Sequence, residues 1–143
     1  MIKKLILIAL SFSSLFAEID FRTAMLYKAD INSKQAYKMQ QEGVLLVDTR
    51  TVKEYKTLHS KGAVNIPIFH ERKGQRVFNK NFLNEIYTAL NKDLNSSIIL
   101  ICRSGSRTKL ASNLLAHNKF SNVYNVKNGF AYDWLKVNLP TEK

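Results

Sequence analysis

A single cysteine, Cys102, is all that the 143-residue chain contains. An internal disulfide is therefore excluded, and the fold must stand without covalent staples. No His, Cys and Asp spacing suggests a metal site, and His70 and His117 stand isolated; no cofactor is implied either. Acidic residues are scarce as well: 11 Asp and Glu face 22 Lys and Arg, for a net charge of +11. Such a field concentrates small anions and favours anionic membrane surfaces. Nucleic acid is not an expected partner, because zinc spacing, an aromatic-basic platform and a recognition-helix pattern are all missing. Glycine (5) and proline (2) are sparse, and there is no repeat, low-complexity tract or interdomain linker. With 45% apolar residues, the length supplies one domain around one core.

A long hydrophobic run is also lacking. The best candidate, Leu5 to Leu10, is too short and too soon interrupted by Ser11 to Ser14 for a comfortable membrane span. Lys3 and Lys4, that run, and Leu15-Phe16-Ala17 before Glu18 read together as a secretory signal over residues 1–17, cleaved after Ala17. The competing reading is an uncleaved anchor, since Leu15 is larger than the residue usual at its place; the domain would then be tethered at a membrane surface. The short basic start suggests bacterial export and a periplasmic location. Cleavage removes the two lysines and lowers the net charge from +11 to +9. In an oxidising compartment a lone cysteine is a reactive thiol, open to sulfenic acid or mixed-disulfide formation.

Beyond the signal, Glu18 to Asp30 reads as a short irregular lead-in that packs through Phe21, Met25 and Leu26. Asn32 or Ser33 caps a helix running to about Glu42, which Gly43 ends. Val44 to Asp48 is a continuous apolar run closing on a carboxylate, the pattern of a buried parallel strand. A short helix from about Val52 to Leu58 and a strand around Ala63 to Ile66 follow. Phe69 to Lys80 is basic and turn-rich, and Arg72-Lys73-Gly74-Gln75-Arg76 reads as a solvated loop that could also line one rim of a cleft. Phe82, Ile86 and Leu90 fall at helical spacing within Lys80 to Asn91. Ser97 to Ile101 is the next strand, Ser106 to Asn118 a helix with Leu110, Leu114 and Leu115 inward, Val123 to Val126 the last strand, and Phe130 to Val137 a terminal helix. Strands alternating with helices predict an α/β fold: a parallel sheet of about five strands covered on both faces.

Cys102 stands where the strand Ser97 to Ile101 runs into Arg103-Ser104-Gly105-Ser106-Arg107. A thiol before a helix N-terminus meets free backbone N–H groups and the positive end of the helix dipole, and both favour an anionic sulfur. Four residues separate Cys102 from Arg107, whereas tyrosine-phosphatase-type loops have five. The shorter cradle suits a smaller anion, such as the terminal sulfur of a persulfide. This loop resembles the active-site loop of the rhodanese family. So do Leu45 to Arg50, Glu54-Tyr55 and His59 to Pro67, which are similar to that family's first signature, and Val123 to Val126, Gly129, Trp134 and Pro140, which are similar to its closing one. The likeness runs from about Ile31 to Pro140 and implies a single rhodanese-like domain over 31–140, resembling the small periplasmic, phage-shock-type sulfurtransferases.

In that resemblance Cys102 is the nucleophile that attacks the outer sulfur of thiosulfate, releases sulfite and holds the sulfur as a persulfide until cyanide or a thiol takes it. The amides of Arg103 to Arg107 would hold the anion, and Gly105 would let the loop turn. Arg103 either holds the donor's sulfonate or is a surface arginine. Arg107 lies where a cation opposes the helix dipole, so it needs a partner, either Asp48 or a substrate anion. Ser104 and Ser106 either donate to the sulfur or cap the helix, and capping is expected of Ser106. Asp48 and Arg50 read as loop-tying supports, Glu54 as the partner of a nearby cation, His59 as a loop-fixing residue and Trp134 as a plug at the core edge. Asn128 replaces the first glycine of the closing motif, which a left-handed Asn would tolerate.

Expected partners are thus small sulfur-containing anions and a thiol or protein sulfur acceptor, with the chain as a monomer. Two rivals stand beside a sulfurtransferase: a persulfide carrier serving a partner protein, and a Cys-Arg-loop phosphatase or arsenate reductase. The loop length and the want of a convincing general acid count against the latter.

Overall fold

Leu46, Val47 and the whole of Ile98 to Ile101 are at most 1% exposed, so these runs have no solvent face and must be covered on both sides. A computed structural model describing residues 18–143 shows how. The signal segment read over 1–17 lies outside the described residues. In chain order the elements are β1 (Ala29–Ile31), α1 (Ser33–Gln41), β2 (Leu45–Asp48), α2 (Val52–Thr57), β3 (His59–Ser60), β4 (Val64–Asn65), β5 (Phe69–Arg72), β6 (Gln75–Phe78), α3 (Phe82–Ala89), β7 (Ile98–Ile101), α4 (Ser106–His117), β8 (Val123–Val126), a π-helical turn (Phe130–Trp134) and β9 (Thr141–Glu142).

Five parallel strands form the central sheet in the order β1-β8-β7-β2-β4. Alternation along the strands sorts the core into two halves. Val47, Ile98, Leu100 and Val123 pack with Phe82 and Ile86 of α3 and Ala111 and Leu115 of α4. Leu46, Ile99, Ile101 and Val126 pack with Ala36 of α1 and with Phe130 and Trp134 of the π-helical turn. Both α1 and α2 start in capping boxes, Asn32 with Gln35 and Thr51 with Glu54, which satisfy the first free amides of each helix. Gly43, at φ +99°, ends α1 in a left-handed turn as expected.

Four expectations are corrected. The lead-in is not wholly irregular. Its end is the sheet's edge strand β1, and the buried Asn113 of α4 accepts from Leu26 N–H at 2.8 Å and donates to the carbonyls of Phe21 and Ala24. Arg72 to Arg76 is not a free loop but the tip of the antiparallel hairpin β5–β6, turning at Lys73 and Gly74 with φ of +51° and +74°, the paired left-handed geometry that suits a hairpin's twist. The terminal helix is a π-helical turn of five residues rather than an α-helix to Val137. Asn128 has no positive φ; that falls to Gly129, at φ +70° and ψ −165°, a conformation essentially confined to glycine.

The π-helical turn is anchored by Trp134, which is fully buried, meets Tyr37 edge-on at 5.9 Å and donates from Nε1 to the Pro140 carbonyl at 2.9 Å. Removing the indole leaves a cavity that a five-residue turn cannot collapse to fill. Trp134→Ala should lower unfolding free energy by about 3–5 kcal/mol, and Trp134→Phe by less, as read from urea midpoints at constant slope.

Candidate active site

The Cys102 thiol sits at the carboxyl end of β7, the central strand of the sheet, where parallel α/β folds place ligands. Its Sγ is fully buried and accepts a hydrogen bond from Gly105 N–H at 3.1 Å. Of the loop amides expected to ring the sulfur, Gly105 N–H makes this contact with Sγ. Thr108 Oγ1 lies 3.4 Å from Sγ and donates to the Gly105 carbonyl at 3.2 Å. Thr108 was not among the expected site residues. One turn into α4 from the cysteine loop, it was detectable only by its proximity to that loop.

The loop owes its shape to close backbone contact with the segment after β8. Gly105 is at φ +94°, and a Cβ there would fall 1.8 Å from the Lys127 carbonyl oxygen. A Cβ on Gly129 would fall 2.6 Å from the carbonyl oxygens of both Cys102 and Arg103. These approaches bring the amides of Phe130 and Ala131 onto the Cys102 and Arg103 carbonyls at 2.8 and 3.0 Å. These contacts occupy the loop carbonyls from behind, and Gly105 N–H turns to the sulfur. Gly105 itself occupies the N-cap of α4 with no side-chain cap, so Ser106 does not cap the helix. Ser106 is exposed, with its hydroxyl 3.5 Å from that of Ser104.

Two buried arginines stand at this end of the sheet. Arg107 does not pair with Asp48, as one reading expected. It forks onto Glu54 of α2, Nη1 to Oε1 at 2.7 Å and Nη2 to Oε2 at 2.9 Å. Burial pushes the Glu54 carboxyl up, but the hydrogen bonds and charge of Arg107, with help from Thr51, outweigh it and hold the group at about 2. Burial likewise pushes Arg107 down, and Glu54 more than reverses it, the Cys102 sulfur adding to the upward shift. Asp48 instead takes Arg50, through Nε and Nη2 at 2.7–3.0 Å, and Arg50 also donates to the Leu58 carbonyl at 2.7 Å and lies 4.5 Å over the Phe130 ring. His59 ties the next loop, with Nδ1 against the Tyr55 carbonyl at 2.8 Å, Nε2 against Glu142 at 3.3 Å, and its ring stacked on Tyr55.

An open cleft of about 540 Å³ borders this assembly, with Arg50, Glu54, Arg103 and Phe130 among its walls. Arg103 is exposed there and lies 5.3 Å over the Tyr132 ring. The hairpin contributes Glu71 and Arg76 to the same cleft, so the basic segment does line a rim, from a strand rather than a loop. Among the described residues no group of His, Cys, Asp or Glu is arranged to hold a metal ion, and no helix is long and apolar enough to cross a membrane.

Comparison with known proteins agrees with this geometry. The model of the rhodanese-like domain family matches residues 32–135. Thiosulfate sulfurtransferase GlpE of Haemophilus influenzae is 30% identical over 113 residues, 79% of this chain and 93% of that protein. An uncharacterized protein of Rickettsia prowazekii is 32% identical over 123 residues, 78% of this chain and 94% of its own. Among solved structures, a Mycobacterium tuberculosis protein superposes with a TM-score of 0.66 at 26% identity, covering 81% of this chain and 98% of that one. From its ordered signatures, its five-stranded parallel sheet and its cysteine loop, the chain belongs to the rhodanese-like domain family.

Proposed function

We propose that the protein is a sulfurtransferase that takes the outer sulfur of thiosulfate or a similar sulfane donor onto Cys102 and passes it to a thiophilic acceptor. The observation that carries this reading is the Gly105 N–H held 3.1 Å from Cys102 Sγ in a four-residue loop. A donor fixed on the sulfur stabilises the thiolate before attack and the persulfide after it. In the first step Cys102 S⁻ forms a bond to the outer sulfur of thiosulfate, the S–S bond to the sulfonate breaks, and sulfite leaves with the electron pair. A nucleophile such as cyanide then takes the outer sulfur and returns the Cys102 thiolate. Family relatives that carry the name thiosulfate sulfurtransferase support the donor, and the basic residues at the cleft suit an anion.

The loop's position depends on Arg107, and Arg107 on Glu54. Since Arg107 is 8% exposed, its charge needs that partner. The same pair answers why a cation can stand at the helix N-terminus: its charge is spent on α2, not against the dipole. We place the cycle in the periplasm, consistent with the signal reading of residues 1–17.

Intact mass after thiosulfate treatment should rise by one sulfur, ~32 Da, fall back on adding cyanide with thiocyanate released, and stay fixed in Cys102→Ser. No gain on a demonstrably reduced Cys102 would overturn thiosulfate as donor. The Glu54 carboxyl, depressed from 4.5 to about 2, contributes stability that is complete above its ordinary value and lost as pH falls from about 4.5 through about 2. Glu54→Gln should therefore weaken the fold at neutral pH by about 1–3 kcal/mol and flatten the acid limb of the stability profile in that window; an unchanged acid limb would show that the pair does not couple to folding.

A further inference from the structure

The cleft that Arg103 lines does not stand alone. A second cleft of about 700 Å³ opens between α2 and the β5–β6 hairpin, and the two share Thr51, Lys53, Thr57 and Glu71 as walls. They form one groove that leads from Arg103 outward between the helix and the hairpin. Ligands in clefts of this size are far larger than thiosulfate or cyanide. Sulfur loading at Cys102 uses none of the outer groove.

Its charges are one-sided. Arg50 is neutralised by Asp48 and Glu54 by Arg107. What remains along the groove is Lys53, Lys56, Arg76 and Arg103, against the single carboxylate Glu71, with His70 beside them. Glu71 and Arg76 stand opposite each other in the hairpin register, yet no ion pair joins them. The cleft that Arg103 lines also has apolar walls, Leu58, Phe130 and Leu135. Apolar walls with basic residues set along the same groove suit a thiol that carries carboxylates.

Building on the persulfide reading above, we infer that this groove is the acceptor site, and that it takes a low-molecular-weight thiol bearing carboxylates, read by Lys56 of α2 and Arg76 of β6. The acceptor's thiolate attacks the outer sulfur of the Cys102 persulfide; the new S–S bond forms as the bond to Cys102 Sγ breaks. Cys102 leaves as thiolate with the electron pair, and the acceptor departs as its own persulfide. No external oxidant or reductant enters. Lys56 and Arg76 specify the acceptor and take no part in the donor step.

The test uses the full protein, loaded with thiosulfate, freed of donor and checked by intact mass. Sulfur loss is then timed with three acceptors at matched nucleophile concentration: mercaptosuccinate, which carries two carboxylates, neutral 2-mercaptoethanol, and cyanide as the reference. Mercaptosuccinate should exceed 2-mercaptoethanol in kcat/KM by about tenfold, the combined effect of two exposed ionic contacts of ordinary size, and the advantage should shrink with added salt. In Lys56→Ala/Arg76→Ala the ratio of mercaptosuccinate to cyanide rates should fall by about the same factor, through KM rather than kcat. Equal rates for the two thiols, or an unchanged ratio in the variant, would overturn the acceptor site while leaving the sulfurtransferase standing. A wild-type protein that never gains sulfur would overturn the sulfurtransferase reading and this inference with it.

Discussion

Two guanidinium groups lie inside the carboxyl end of the sheet, Arg50 at 5% and Arg107 at 8% exposure, and an unpaired charge in such a place costs several kcal/mol. That constraint organises the region around Cys102. Asp48, the last residue of β2, is fixed by Arg50, and through Arg50 it reaches the Leu58 carbonyl beyond α2 and the Phe130 ring. Glu54 serves both as the N3 member of its helix's capping box and as the forked acceptor for Arg107. One short helix is thereby locked to α4 and to the cysteine loop by charges that cannot be relocated without exposure. The cations next to the sulfur are held by carboxylates, and Arg103 alone of the loop's arginines stays at the cleft mouth.

The second determinant is covalent simplicity. Gly105 and Gly129 let two backbone segments touch where any side chain would collide with a carbonyl oxygen. The contact consumes the carbonyls of Cys102 and Arg103 from behind, while Gly105 N–H donates to the sulfur. Trp134 holds the far end of the π-helical turn in the core, so the closing segment acts as a buttress for the loop through its backbone amides.

Much of this was legible in the chain. The strands β2, β7 and β8 are continuous apolar runs, and their burial on both faces is the reason: no alternation obscures them. Helix α1 announces itself by Asn32 and Gly43. What could not be read has equally physical causes. Edge strand β1 offers three residues, Ala29-Asp30-Ile31, with one deeply buried side chain, too little pattern to see; its pairing with β8 supplies the order. The β5–β6 hairpin turns on Lys-Gly in place of the Asn-Gly that usually marks such turns, and all four residues of β6 are exposed, so no inward face appears in its sequence. Arg107 was recognised as needing a partner, but Asp48 and Glu54 were equally available in one dimension. The geometry of α2, and the prior claim of Arg50 on Asp48, decide for Glu54.

Those features with the weakest sequence signal are also those that could vary most freely without disturbing the chemistry. The sulfur, its Gly105 donor and the two ion pairs depend on one another through burial, and each change among them leaves a charge or a carbonyl unsatisfied. Strand β6 of the hairpin has no such obligations: it pairs with β5, and all four of its residues are exposed. A substitution at Arg76 therefore changes what the groove attracts at little expense to the fold. Under the proposed cycle, one cysteine loop could be matched to different acceptors by changing exposed charges at a distance from it, and the basic hairpin and α2 are where such changes would act.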